Sequence, residues 1–458
     1  MRALLFNPWI TDFAAFDHWA RPLNLLRLAT LLRQQGWSVD FYDCLDRRSP
    51  DLEGLPAPPR HRFNPYGGGH YYREIIPHPP GLDGVRLRYK RYGVPPRRVE
   101  QRLRTFPQPD VIIVASVMTY WYPGVFEAIA MLRRLFPRVP IVLGGIYATL
   151  CRAHAEAHSG ADAVVTGRHW PDIVNRIFAI LGDTSQPCPG DQTTWIEPAY
   201  DLLRQDFCFP LLTSMGCPCH CTYCATHALW PRFVTYEPEA VLDSIGRVVR
   251  DYHATDLVFY DDALLVKKET HFLPLMEALI RQGYAVRFHT PNALHVRQID
   301  ATVAGLLKRA GFTTLRLGLE VVQRDWQKST GDKAYIEEYL EAMRHLRNAG
   351  FTREIGTYLL FGLPGQTIEA VREGCRAVAE QGSEIYLALY SPIPGTPLYE
   401  RPGCDFRFDP RVDPLFQNNS LAPFQSHAFT DAQYRELRQY ARNLNENVRK
   451  RPFLEAAR

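Results

Sequence analysis

Along this chain, short unbroken apolar runs alternate with stretches in which apolar residues recur every three or four positions. In residues 1–182 the runs at 3–8 and 38–43 and the β-branched runs at 111–116, 141–144 and 163–166 predict five strands. The stretches 23–35, 125–136 and 173–181 carry the helical period, and Gly36 closes the first of them. Strands alternating with helices predict βαβ units, hence a parallel, doubly wound, Rossmann-like sheet whose ligand lies beyond the carboxyl ends of its strands. Residues 183–206 lose all periodicity and are rich in Pro, Gly, Asp and Thr, which predicts a linker.

After the linker the alternation restarts. Strands are expected near 209–215, 256–260, 285–290, 313–319, 354–361 and 385–391, with helices near 238–252, 271–282, 300–310, 335–349 and 368–381. Six strand–helix units are too few for a closed eightfold barrel and predict a partial (β/α)6 barrel over 207–400, with its site at the carboxyl ends of the strands. Residues 401–458 are irregular up to Thr430, where a charged helix begins and runs to about Val448. This extension is expected either to close the barrel mouth or to pack on its outside.

Composition changes the picture in two places. Residues 47–108 interrupt the first domain with 13 basic and 5 acidic side chains, a net of +8 in a chain whose total is only +4. Their prolines and the Gly67-Gly68-Gly69 run predict an irregular insertion ending in a short helix near 97–104, either a cover for an anionic ligand or a solvated basic surface. The small total charge is too little to argue for nucleic acid or an anionic membrane by itself, and no nucleic-acid partner is expected. The apolar fraction of 46% is ordinary, and no apolar run approaches the length of a membrane span. With no signal peptide and with clustered rather than dispersed cysteines, the expected location is the cytoplasm.

The cysteines supply the chemistry. Four of the ten fall in Cys217-Pro218-Cys219-His220-Cys221-Thr222-Tyr223-Cys224, directly after the first barrel run. Cys217, Cys221 and Cys224 have the spacing C-x3-C-x2-C, and thiolates this close in one loop converge on a metal centre. Three ligands are one short of a closed cluster site. A structural zinc site is the alternative; Cys219 and His220 are at hand for it, but neither gives a standard finger spacing. Cys219 fits no ligand position in the motif. Cys44, Cys151, Cys188, Cys208, Cys375 and Cys404 are scattered and are expected to be small apolar residues.

The loop resembles the cluster motif of radical S-adenosylmethionine (SAM) enzymes. That resemblance implies a 4Fe–4S cluster on Cys217, Cys221 and Cys224, with the fourth iron taking the amino and carboxylate groups of SAM. One electron then cleaves SAM and releases a 5′-deoxyadenosyl radical. Further strand-end motifs are similar to the same family: Tyr260-Asp261-Asp262, Pro291-Asn292-Ala293, Gly318-Leu319-Glu320, Gly362-Leu363-Pro364-Gly365 and Ser391-Pro392-Ile393-Pro394-Gly395. By resemblance, Tyr223, Asp262, Asn292, Glu320, Gly362, Leu363 and Pro392 bind SAM, while Asp261, Asp262 and Glu320 are the candidates for catalysis. The family commonly has Ser after the Glu; here Val321 stands in its place.

The first domain is similar to the cobalamin-binding domain that precedes many of these enzymes. The likeness rests on Asn7-Pro8, on the Pro22–Ala29 stretch, on Gly144-Gly145-Ile146-Tyr147-Ala148-Thr149 and on Val164-Val165-Thr166-Gly167. It implies cobalamin contacts at Asn7, Ser116, Gly144, Gly145, Thr149 and Gly167. Arg168-His169 stands where the family often has an acidic pair. The D-x-H-x-x-G motif that gives cobalt a histidine is absent, and Asp17-His18 lies in the corresponding loop with different spacing.

Together these imply cobalamin-assisted C-methylation of a small-molecule or natural-product substrate, with electrons from a donor such as a flavodoxin or ferredoxin. A monomer or weak homo-oligomer is expected. The alternatives are a non-methylating cyclisation, rearrangement or oxidation with a vestigial first domain, and a non-catalytic iron–sulfur scaffold.

Overall fold

The computed structural model describes residues 1–56, 66–167, 169–182, 187–191, 193–203, 208–401, 407–421 and 429–451. Arg168 and Cys404 lie outside the described residues. The chain divides into two units: Met1–Asp206 with Pro410–Asn418, and Phe207–Asp409 with Asn419–Arg458.

In the first unit the strands are β1 (Arg2–Asn7), β2 (Ile10–Asp12), β3 (Ser38–Asp43), β4 (Arg73–Ile75), β5 (Lys90–Tyr92), β6 (Val111–Val114), β7 (Ile141–Leu143) and β8 (Ala163–Val164). Five of them form a parallel sheet in the order β3-β1-β6-β7-β8, so the strand order reverses between β1 and β6. Both faces are buried, which explains the unbroken apolar runs. Leu4, Phe6, Ile112, Val114, Ile141 and Leu143 pack under helices Pro96–Leu103 and Tyr122–Leu135. Their alternates Ala3, Leu5, Val111, Ile113 and Val142 pack under helices Leu23–Gln34 and Trp170–Ile180.

Three expectations need correction here. The insertion is not irregular throughout: β2, β5 and β4 form an antiparallel sheet over an apolar cluster of Ile10, Tyr71 and Tyr92. Charged three-residue strands such as Arg73–Ile75 carry no hydrophobic period, so only pairing reveals them. The expected linker is, where described, packed on the first helix. Ala199 N donates to Leu26 O at 3.1 Å, and Thr30 Oγ1 to Glu197 O at 2.6 Å. Finally, Pro410–Asn418 belongs to the first unit, where Asn418 Nδ2 donates to the buried Asp12 carboxylate at 2.9 Å and Asp413 accepts from Tyr122 OH at 3.1 Å.

The second unit contains β9 (Cys208–Leu211), β10 (Ser214–Met215), β11 (Val234–Thr235), β12 (Asp256–Phe259), β13 (Arg287–His289), β14 (Leu294–His295), β15 (Phe312–Glu320), β16 (Ile355–Phe361) and β17 (Glu384–Leu389). Six strands lie side by side in chain order, β9-β12-β13-β15-β16-β17, every pair parallel. This is the open, partial βα barrel. The run expected as one strand over 209–215 is split: β10 turns away to pair antiparallel with β11. Helix Asp431–Lys450 lies outside, against β17. Ile385 N donates to Asn445 Oδ1 at 2.7 Å and Asn445 Nδ2 donates to Ile385 O at 2.9 Å, so one amide covers the edge strand's backbone. No helix among the described residues is long and apolar enough to cross a membrane.

Candidate functional site

The cysteine loop is fastened at both ends. At its start, Asp261, two residues past the end of β12, accepts from Thr213 N, Thr213 Oγ1, Ser214 N and Ser214 Oγ at 2.5–3.1 Å. Burial drives its pKa upward against those hydrogen bonds. Further along, Thr222 N donates to Thr330 O at 3.1 Å and Leu398 N to Thr222 O at 2.9 Å. Gly331, at φ +115°, lies so close that a Cβ would stand 2.6 Å from His220 O and 2.7 Å from Cys221 Cα. Asp261 therefore positions the loop, and the segment after the fourth barrel strand braces it.

Cys217 and Cys221 are buried, Cys219 and Cys224 half-buried. Cys217 Sγ lies 3.8 Å from His295 Nε2 and accepts from Cys219 N at 3.4 Å. The ligand atoms of Cys217, Cys219 and His295 lie within 4.8 Å of one another; Cys221 and Cys224 stand outside that group. Thiolates on a single ion sit about 3.8 Å apart, given metal–sulfur bonds near 2.3 Å. A four-iron cluster carries one thiolate per corner iron, so its ligands stand further apart. Burial raises the Cys221 thiol to about 11, against the pull of Lys333. Burial, then Lys333 and Arg297, depress His295 to about 3 and keep its imidazole neutral.

Lys333 is the residue that the sequence reading missed. Its Nζ lies 3.1 Å from Glu320 Oε1, and their side chains are 14% and 11% exposed. Burial alone would lower its pKa, but the charges of Glu320, Cys221 and Cys217 outweigh it and hold the ammonium above its usual range. The pair fits because position 318 is glycine: a Cβ there would lie 2.9 Å from Lys333 Nζ and 3.0 Å from Glu320 Oε1. Glu320 itself sits at φ +65°, where the β15–β16 register shifts. The turn Thr330-Gly331-Asp332 ahead of Lys333 was the available signal.

The other strand ends divide into fasteners and open groups. Asn292 Nδ2 donates to Tyr260 O at 2.7 Å, tying the second and third strand ends together. Asp262 is exposed to water within a mouth walled by protein; that wall and the neighbouring Asp261 raise its pKa to about 6, against Lys333. Val321, Leu360, Leu363, Tyr390 and Leu398 form an apolar cluster against which Tyr223 packs. Val321 is thus a packing residue, and a hydroxyl there would be buried among hydrocarbons. Gly362 sits at φ +85°, and the buried Gln366 side chain bridges Leu363 N and Leu360 O across the turn. Pro392 is buried.

In the first unit, Ser116, Gly144, Gly145 and Thr149 come together. Ser116 Oγ donates to Gly144 O at 2.7 Å and accepts from Ala148 N at 3.2 Å, while Thr149 Oγ1 donates to Gly145 O at 2.8 Å. Gly145, at φ +104°, is required by protein contact: a Cβ would meet Ser116 O at 2.1 Å. At Gly144, which is half-buried, a Cβ would meet only Val165 O at 3.4 Å, so a side chain there has room. Asn7 is turned to Asp43 at 2.7 Å, and Gly167 follows β8 against Ile173. Asp17 is buried and paired to Arg21 at 3.1 Å and Arg47 at 2.8 Å.

Residues 211–377 match the Radical SAM superfamily and residues 82–169 match the B12 binding domain. The chain therefore carries a Radical SAM superfamily domain and, ahead of it, a B12 binding domain. It is 22% identical over 339 residues to an anaerobic magnesium-protoporphyrin IX monomethyl ester cyclase of Cereibacter sphaeroides, covering 66% of this chain and 54% of that one. It is 23% identical over 283 residues to a bacteriochlorophyllide d C-12(1)-methyltransferase of Chlorobaculum tepidum, covering 57% and 59%. The chain thus spans little more than half the length of these curated relatives. The radical SAM methyltransferase TsrM from Kitasatospora setae shares the fold, with TM-score 0.62 at 18% identity over 87% of this chain and 74% of that one.

The cofactors of a radical SAM enzyme with a B12-binding domain are a 4Fe–4S cluster, SAM and cobalamin, and the residues present fit them. Three thiols beside a buried ammonium suit an anionic iron–sulfur cluster, whose charge Lys333 offsets. Beyond β6, Val117 is 44% exposed beside the bare Gly144 backbone, an apolar rim suited to a flat corrin.

Proposed function

We propose that this protein cleaves SAM reductively to start radical chemistry on a small-molecule substrate, and that the reaction is cobalamin-assisted C-methylation. The observation that carries this reading is the thiol loop at the carboxyl end of a parallel barrel, beside buried Lys333, in a chain that also bears a B12-binding domain. Cys217, Cys221 and Cys224 would hold the cluster; the cluster supplies the electron for SAM cleavage, and cobalamin supplies a transferable methyl group. Asp262 would accept the methionyl ammonium and Glu320 the ribose hydroxyls, with Lys333 keeping Glu320 ionised. Tyr223, Val321, Leu363 and Pro392 would exclude water around the adenine, and the Gly362 turn would bring backbone to its edge. Asn292 would orient Asp262 through the strand end it fastens. In the first unit, Gly144 would approach the corrin while Ser116, Gly145 and Thr149 shape the loop, flanked by Asn7 and Gly167.

A second reading, ring-forming radical chemistry without methylation, is favoured by the 339-residue similarity to a cyclase. One experiment separates the two. Anaerobically purified protein should be brown and hold about four irons, and Cys221→Ala should lose both. With reductant, methylcobalamin and SAM, methylation yields S-adenosylhomocysteine together with 5′-deoxyadenosine. Deoxyadenosine alone supports the second reading. A colourless wild type sinks both, and a brown protein that yields no 5′-deoxyadenosine leaves the non-catalytic iron–sulfur scaffold.

A further inference from the structure

We propose that the cluster-free chain holds one thiophilic divalent cation, of the Zn2+ or Fe2+ class, between Cys217, Cys219 and His295. The three ligand atoms already lie within 4.8 Å of one another, and Cys217 Sγ is 3.8 Å from His295 Nε2. Metal bonds near 2.3 Å to sulfur and 2.0 Å to nitrogen set ligand atoms about 3.5 Å apart, so the site closes by side-chain rotation of about 1 Å. His295 is 6% exposed and sits on β14, paired to Gly318 of β15, so its ring is offered from a rigid strand. Pro218 alone separates the two cysteines in sequence, Cys219 N donates to Cys217 Sγ at 3.4 Å, and His227 Nε2 holds Cys219 O at 3.0 Å.

Charge and stoichiometry agree. The dication displaces one proton from each thiol, forming two metal–sulfur bonds with no change of oxidation state, while imidazole gives its lone pair and water the fourth ligand. Two thiolates neutralise the ion, and the nearby Lys333 is already paired with Glu320. Because Cys217 also belongs to C-x3-C-x2-C, the cation and a cluster on that motif exclude one another. The site is a holding state, which keeps two thiols reduced until Cys217 is released. It gives Cys219, which fits no position in the three-cysteine motif, a ligand's role.

The test is a Co2+ titration of the full-length chain, freed of iron by chelator under anaerobic reducing conditions, with Zn2+ in competition. One tetrahedral thiolate-bound Co2+ per chain is expected. Cys219→Ser and His295→Gln should each weaken it about tenfold or more, as loss of a ligand does, while Cys224→Ala stays within about twofold. If Cys224→Ala abolishes binding and Cys219→Ser leaves it intact, the cation sits in the three-cysteine motif and the proposal fails; absence of any Co2+ binding also overturns it. Should His295→Gln not fold, X-ray absorption of the Zn2+-loaded wild type decides. Two sulfurs with nitrogen or oxygen support the site, and three sulfurs refute it.

Discussion

Lys333 places its ammonium 3.1 Å from the Glu320 carboxylate, with both side chains nearly buried and the thiols of Cys217 and Cys221 close enough to add to its charge balance. Removing one partner strands the other in a low-dielectric setting. Lys333→Met is therefore expected to cost about 3 kcal/mol of folding stability, and the double variant Lys333→Met with Glu320→Leu much less. Urea unfolding of the four members of the cycle measures this. A single variant as stable as wild type would show the pair to be dispensable.

The raised pKa of Asp262, about 6, predicts a pH dependence of SAM binding. The carboxylate is charged above that value, so affinity should fall as pH drops from 8 toward 5. Asp262→Asn should bind weakly and without that slope. Anaerobic binding titrations across the range decide, and a flat wild-type profile would remove Asp262 from the ammonium site.

The glycine pair separates fold from ligand. Gly145→Ala forces a Cβ onto Ser116 O at 2.1 Å from a backbone that alanine avoids, and should cost about 3 kcal/mol. Gly144→Ala has room, so the melting temperature should stay put while corrin affinity drops. Thermal melts paired with cobalamin titration read both; an unstable Gly144→Ala would contradict the assignment.

Asn445 covers the backbone of Ile385 on the edge strand β17. Asn445→Ala should cost about 1–2 kcal/mol for two lost hydrogen bonds and raise self-association through the uncovered edge. Light scattering and thermal melts test it, with Asn443→Ala on the same helix as control.

The barrel was legible because each of its units repeats one local rule. The helix expected over 238–252 is found as Pro238–Tyr252, and the strand expected near 256–260 as Asp256–Phe259, since amphipathic period and buried β-branched runs are local properties. The site was legible where spacing carries chemistry, as in C-x3-C-x2-C. It was illegible where chemistry depends on distant partners. His295 approaches Cys217 across 78 residues of sequence, and Lys333 is one basic residue among 53 until folding buries it beside Glu320.

Sequence alone determined two alternating arrays and a loop with three thiols at metal spacing, because periodicity and ligand spacing survive without knowledge of neighbours. Only tertiary structure decided that Asp261 fastens the loop while Asp262 stays open. It also decided that Val321 is packing, that Gly145 answers to Ser116, and that Cys219 sits with Cys217 and His295. Each is a contact between residues far apart in the chain, and burial and charge pairing exist only once those residues meet.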